Sequence, residues 1–147
     1  MTPYITVADA TTYFGERLNT DAWDDATEAN KLKALKQSTR AIDRLNFRGT
    51  KTEGTQELEF PRYDETGIPD DVQYACAENA LALLDGIDPI AEREDIAVTV
   101  HGIGSARTSM DRSFVPEYIQ AGIASPIAWD FLRPYLRDPR EIDIIRS

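Results

Sequence analysis

The chain has 147 residues, 41% of them hydrophobic and 29% charged, which predicts one soluble domain with a real core and is too short for two. Its 26 acidic residues outnumber its 16 basic ones and give a net charge of −10, so DNA binding over the whole surface is excluded. The apolar runs are too short to span a membrane and the start shows no secretory signal, so no membrane contact is predicted. The single cysteine predicts a protein that folds in a reducing cytoplasm.

The charges are spread unevenly along the chain. Residues 1–30 carry −5 and residues 53–95 carry −11, whereas residues 31–52 hold seven bases and one acid, for +6. Residues 96–147 hold six of each sign. Only the basic segment can attract an anion, and acidic protein surfaces compete with that anion for it.

Two helices are predicted in the first third of the chain. Thr6 is a suitable N-cap, and apolar residues at helical spacing predict a helix from about Val7 to Leu18. Trp23 follows in the connection, where we expect it to anchor the core. A longer helix is predicted from about Thr27 to Asn46, with Leu32, Leu35, Thr39, Ile42 and Leu45 on one face.

The basic side chains of the longer helix fall mostly on its other side. Lys33, Lys36, Arg40 and Arg44 are spaced by three or four residues, which places them in one row. Two interpretations stay open: a solvated face, or a contact with an acidic neighbouring protein.

A polar segment and a third helix follow. Gly49 and Gly54 break the pattern, and weak alternation up to Tyr63 predicts a hairpin or extended loop over 48–62. Pro69 and two acids then begin a helix near Ile68, which runs to Leu84 and ends at Gly86.

The remaining segments are shorter. Residues 87–93 have loop-like composition, and alternation from Ile96 to Asp111 predicts a second hairpin. Ser125-Pro126 begins a short helix that Pro134 bends or ends. Residues 137–147 are either an extended arm that adds onto a neighbour or a frayed terminus.

The predicted fold class is mainly α: a small bundle of about three to four core helices, with a projecting loop or hairpin, a second short β-hairpin and an extended C-terminal arm. The whole chain, 1–147, forms one domain. Its helical core is 1–95 with the loop at 48–62, followed by hairpin and short helix over 96–136 and the arm over 137–147.

No site for catalysis, a metal or a cofactor is predicted. His101 is the only histidine and Cys76 the only cysteine, too few for a metal centre of that type. The acidic pairs Asp24-Asp25 and Asp70-Asp71 stand at helix starts, where they act as caps. The segment from His101 to Ser105 lacks the spacing of a phosphate-binding loop. We therefore expect a protein that is not an enzyme and needs no cofactor.

The pattern resembles the head–tail connector (adaptor) proteins of tailed bacteriophages. The resemblance rests on "YITVADATTYFGERLNTDAW" at 4–23 and "KLKALKQSTRAIDRLNFRGTKTEGTQELEFPR" at 31–62. It continues through the helix at 68–84, and "RPYL" at 133–136 is similar to a late family segment. Some sequences of this pattern carry instead the label of a DnaT-like single-stranded DNA-binding protein.

The connector resemblance implies a virion protein at the head–tail interface, made in the host bacterial cytoplasm. Its subunits would form a ring, commonly of twelve, that binds the portal protein and a tail or next connector protein. Packaged double-stranded DNA would pass through the ring without specific binding. The candidate contact residues for other subunits and the portal are Lys33, Lys36, Arg40, Arg44, Arg48, Lys51, Phe60, Arg62, Arg137, Arg140, Ile142, Ile144 and Ile145.

Two other functions remain as alternatives. A DnaT-like accessory protein of replication would bind single-stranded DNA, although the chain shows no row of aromatic residues interleaved with bases. A small enzyme or regulator is the third possibility, and the absence of a predicted site argues against it.

Overall fold

The computed structural model describes residues 1–95 and 115–138, and these residues are mainly helical, as predicted. The helices, in chain order, are α1 (Val7–Phe14), α2 (Asp21–Asp24), α3 (Glu28–Asp43), α4 (Asp70–Leu84), α5 (89–95), α6 (Glu117–Gln120), α7 (Pro126–Leu132) and a 3₁₀ turn (Arg133–Tyr135). No helix in these two ranges is long and apolar enough to cross a membrane.

The predicted N-caps are confirmed. The side-chain oxygens of Thr6, Thr27 and Ser125 each accept a hydrogen bond from the backbone N–H three residues later, at 3.1 to 3.2 Å. Each cap satisfies an amide that would otherwise have no partner in the first turn of the helix. These bonds fix where α1, α3 and α7 begin.

Helix α4 is the centre of the bundle. It packs mainly against α3 and α7 and also touches α1 and α2. Its alanines and Cys76 let α3 approach closely enough for the Ser38 hydroxyl to donate to the Cys76 carbonyl at 2.8 Å. Trp23 is fully buried beside this core, as the sequence predicts.

Two helices are shorter than predicted. Helix α1 ends at Phe14, because Gly15 caps it and the chain then turns through Asn19 at a φ of +61°. Helix α3 ends at Asp43, and Phe47 then enters the core and forms a bridge with Leu136. The end of α1 is thus set by a local cap and turn, and the end of α3 by a tertiary contact that helical periodicity does not encode.

The predicted loop over 87–93 is wrong, because residues 89–95 are helical. The Asp88 carboxylate accepts from the backbone N–H groups of Ile90 and Ala91, at 3.0 and 3.4 Å. Pro89 stands in the first turn, where its missing N–H costs nothing. The pair Asp88-Pro89 was therefore a helix-start signal in the sequence.

The loop at 48–62 folds back onto the end of α3 rather than projecting from its base. An isolated antiparallel β-bridge pairs Lys51 with Arg62 across the base of the loop. The Tyr4 hydroxyl donates a hydrogen bond to the Asp43 carboxylate and accepts one from the Phe60 N–H at 3.2 Å. Burial, opposed by the hydrogen bond from Tyr4, raises the pKa of Asp43. The tip around 53–57 is largely exposed, as are Arg48 and Thr50 at the base.

The second hairpin, predicted from Ile96 to Asp111, lies outside the described residues. The same holds for the C-terminal arm beyond Asp138.

Candidate nucleic-acid interface

The outer side of α3 carries the basic row that the sequence predicts. Lys33, Arg40 and Arg44 are exposed and Lys36 is half-buried. The row leads towards the C-terminal end of the helix, where cations also interact favourably with the helix dipole. Arg40 lines one of two neighbouring cavities, and Arg44 lines both.

The first cavity, called here the arginine pocket, has a volume of about 440 Å³. Arg40 and Arg44 line it from α3, and Arg93 lines it from α5. Asn79 of α4 also lines it, together with apolar side chains that include Leu83. The pocket therefore combines three cations with a buried amide and an apolar wall.

The second cavity, called here the arginine groove, is open and has a volume of about 820 Å³. Its basic residues are Arg44, Arg48, Arg133 and Arg137, and Trp129 lies among its apolar residues. Arg44 lines both cavities. The pocket and the groove therefore form one continuous surface, the arginine surface, defined by Arg40, Arg44, Arg48, Arg93, Arg133 and Arg137.

Chain pairing between distant segments builds one wall of the groove. The Arg48 N–H donates to the Tyr135 carbonyl at 2.9 Å, and the Arg137 N–H donates to the Asn46 carbonyl at 2.9 Å. The Arg48 side chain adds a bond from Nε to the Leu136 carbonyl at 2.8 Å. Two basic segments separated by almost 90 residues thus meet at one site.

The arginine surface is basic although the protein is acidic. Its two cavities are lined by six arginines and three acids, Asp88, Glu117 and Asp138. The Asp88 carboxylate is already engaged in capping α5. Such a local excess of positive charge attracts anions even when the net charge of the protein is negative.

Acidic residues collect at the other end of the seam between α3 and α4. Asp21, Asp25 and Asp85 line a cavity beside Asn30, near the start of α3, and no basic residue lines it. A smaller cavity containing Lys33 and Leu83 joins this acidic end to the arginine pocket. Charge is therefore segregated along one surface of the protein.

Two predicted contact residues are inside the protein and are corrected here. Phe60 is buried, with edge-on contacts to the rings of Tyr4, Phe47 and Tyr135. Arg62 is only 7% exposed, because its guanidinium is enclosed by the loop that it holds together.

The contacts of Arg62 explain this burial. Its Nε donates to the Arg48 carbonyl at 2.8 Å, and its Nη2 donates to the Gly49 carbonyl. Its Nη1 pairs with the Glu59 carboxylate at 2.7 Å. Arg62 fixes the base of the loop and presents no charge to a partner.

The other predicted contact residues divide into three groups. Arg40, Arg44, Arg48 and Arg137 come together on the arginine surface. Lys33, Lys36 and Lys51 do not line either of its cavities. The remaining four, Arg140, Ile142, Ile144 and Ile145, lie outside the described residues.

Sequence reasoning missed Arg93, Arg133 and Asn79. Arg93 was assigned to a loop, and the signal that could have placed it was the Asp88-Pro89 helix start. Arg133 and Asn79 carry no local signal, because only the packing of α4 and α7 brings them to this surface. Among the residues that the structure describes, no group of acids, histidines and cysteines is arranged to hold a metal ion.

Comparison with known proteins assigns the family. Residues 2–146 match the model of the family described as "Putative DnaT-like ssDNA binding protein". The chain belongs to this family. The match covers nearly the whole chain and corresponds to the alternative label that the sequence resemblance carried, and it gives no support to the connector family.

No curated protein matches the chain, and no solved structure matches it.

Proposed function

We propose that the protein binds single-stranded DNA along the arginine surface. The family to which it belongs is described as DnaT-like and single-stranded DNA binding. The observation that carries the proposal is the continuity of the pocket and the groove through Arg44, which aligns six arginines in one path. Phosphate contacts supply most of the affinity in such complexes.

An exposed aromatic ring lies next to this path. Tyr63 is 60% exposed, and its ring covers Gly49, the residue after Arg48. Bases of a single strand stack on exposed aromatic side chains regardless of sequence. Tyr63 would therefore give a strand one stacking position beside the groove.

The acidic end of the α3–α4 seam complements this assignment. Because Asp21, Asp25 and Asp85 repel phosphate, they would keep a strand from continuing beyond the arginine pocket. A net charge of −10 is then compatible with DNA binding at a single restricted surface.

Salt-dependent binding tests the proposal. Fluorescence anisotropy of a labelled oligothymidylate of about 15 nucleotides would be measured at several salt concentrations. Each phosphate contact contributes about 0.7 to the slope of log affinity against log salt, so Arg40→Gln with Arg44→Gln should lower the slope by about 1.4. At 0.1 M salt this corresponds to an affinity about 25-fold weaker.

The matched control removes the same charge from the other end of α3. Lys31→Gln with Lys33→Gln also lowers the net charge by two, but neither lysine lines the arginine surface. We expect a change of less than about threefold for the control. Equal losses in the two double variants, or no binding by the unaltered protein, would contradict the proposal.

A head–tail connector subunit is the second candidate, and the charge segregation favours it. A subunit with a basic and an acidic surface can join head to tail, and such contacts close into a ring when the rotation allows it. The partners would be further copies, the portal protein and a tail or next connector protein. Double-stranded DNA would pass through the ring without specific binding.

A charge swap separates the two candidates. Arg40→Glu with Arg44→Glu should prevent assembly at low salt, and adding Asp21→Lys with Asp25→Lys should restore it between mutant copies. Light scattering measures the assembly, and mass spectrometry of purified virions measures incorporation. A monomer at every concentration and salt, absent from virions, would exclude the connector function.

A further inference from the structure

Asn79 has an unusual environment within α4. Its side chain is fully buried, and its Oδ1 accepts a hydrogen bond from the Ala124 N–H at 2.8 Å. Its Nδ2 makes no hydrogen bond, and it is the one buried side-chain polar atom of residues 1–95 and 115–138 of which this is true. Because a backbone N–H requires an oxygen opposite it, the orientation of the amide is fixed.

A buried donor without an acceptor destabilises the folded protein. A ligand that supplies an oxygen at this position would recover that free energy. Asn79 is one of the residues that line the arginine pocket, and Nδ2 is the donor that its bond to Ala124 leaves unpaired. The unpaired amide therefore points to a ligand with an acceptor oxygen.

The rest of the pocket specifies the charge of that ligand. Arg40, Arg44 and Arg93 have only donors to offer, and a guanidinium binds phosphate and carboxylate oxygens in a fork geometry. The one acid in the lining, Asp88, is occupied with the amides of Ile90 and Ala91. Three cations against one engaged carboxylate favour an oxyanion.

The size and the apolar wall indicate what carries the oxyanion. A volume of about 440 Å³ exceeds the needs of a bare phosphate and lies within the range of small-molecule sites, about 300 to 1,000 Å³. Leu83, Pro89 and Ile90 provide an apolar wall beside the arginines. Ile90 is an exposed large apolar side chain, suited to cover a flat ring.

We propose that the arginine pocket binds a phosphomonoester carried on a nucleoside, with Asn79 Nδ2 donating to a phosphate oxygen and the arginines surrounding the charge. The same group occurs in a free nucleoside monophosphate and at the 5′ end of a DNA strand. Occupation of the pocket does not depend on strand binding along the groove.

Calorimetric titration of the full chain with dTMP, inorganic phosphate and thymidine tests the pocket. We expect dTMP to bind more tightly than phosphate, and thymidine not to bind. Asn79→Asp keeps an oxygen for Ala124 but replaces the donor with a second acceptor and a negative charge. It should weaken dTMP binding at least tenfold.

A second variant covers the possibility that Asn79→Asp does not fold. Arg93→Gln changes a half-buried side chain outside the central helices, and we expect it to weaken dTMP binding about fivefold with unfolding unaltered. Arg133→Gln is the control, because Arg133 lines the groove but not the pocket. Failure of dTMP to bind, or Arg93→Gln binding as tightly as the unaltered protein, would overturn the proposal.

The two sources of the phosphomonoester are distinguished with oligothymidylates that carry either a 5′-phosphate or a 5′-hydroxyl. Tighter binding of the phosphorylated strand, lost in Arg93→Gln, would support a strand end as the ligand. If both strands bind equally and dTMP does not bind, the pocket proposal fails while the groove stands. If dTMP binds and neither strand does, strand binding fails and the pocket stands.

Discussion

The carboxylate of Glu78 is the most deeply buried charge that the structure describes, and removing its cationic partner should destabilise the fold. Glu78 is 2% exposed and accepts hydrogen bonds from the Tyr13 hydroxyl at 2.7 Å and from Arg17 Nε at 2.6 Å. Burial, together with the hydrogen bond and charge of Glu78, raises the pKa of Tyr13, so that phenol stays a donor. The charge balance therefore depends on Arg17.

Arg17→Met removes this charge and keeps most of the side-chain stem. Breaking a buried pair by removing one partner costs about 3 to 5 kcal/mol, because a buried charge loses its compensation. Here the Arg17 side chain is 25% exposed, both residues border a cavity, and Tyr13 still donates. We therefore expect a smaller loss, about 2 to 3 kcal/mol of unfolding free energy.

Urea denaturation measures this loss, and thermal unfolding should show a Tm lower by about 5 to 10 °C. Adding Glu78→Gln should recover part of it, because no uncompensated charge remains. As a control, Arg133→Met breaks an exposed 3.9 Å pair with Asp130 and should change stability by less than about 0.5 kcal/mol. If Arg17→Met is no worse than this control, Glu78 is solvated and the reasoning is refuted.

Three further predictions concern the loop, the end of α3 and the core. Gly49→Ala places a Cβ on a residue whose φ is +75°, 2.5 Å from the Tyr63 ring. Denaturation should show a loss of about 1 to 2 kcal/mol of unfolding free energy. In the control Gly67→Ala the added Cβ meets no atom within 4 Å, and the loss should be smaller. The folded-state pKa of Asp43 is raised, so ionisation of Asp43 opposes folding. The stability of Asp43→Asn relative to the unaltered protein should therefore rise with pH, from about pH 4 through that raised pKa. A stability difference that does not change with pH would contradict this. Cys76 is fully buried, and burial also raises its pKa, so a thiol reagent should label it only when the protein unfolds; rapid labelling of the folded protein would show that the core opens.

Local patterns in the sequence were enough to place the main helices. Thr27 and the Ser125-Pro126 pair fix two helix starts through interactions within four residues, and both are confirmed. The apolar face of α3 was predicted only in part. Leu32 is exposed, while Ser38, assigned to no face, is buried against α4, because the small residues of α4 accept a polar contact there.

Only part of the arginine surface was predicted from the sequence. The spacing of Arg40 and Arg44 placed them together, because residues four apart share a helix face. Their junction with Arg133 and Arg137 depends on the bridge between Phe47 and Leu136, and no local pattern encodes such a pairing. The burial of Phe60 and Arg62 was missed for the same reason.

The most direct test of the central claim is the location of bound DNA on the protein. Amide NMR shifts of the ¹⁵N-labelled chain would be followed during titration with an oligothymidylate of about 15 nucleotides. Binding along the arginine surface predicts the largest shifts at 40–48, 117–121 and 133–137, and little change at 21–30. Shifts centred on the acidic end, or spread evenly over the protein, would contradict the assignment of single-stranded DNA to this surface.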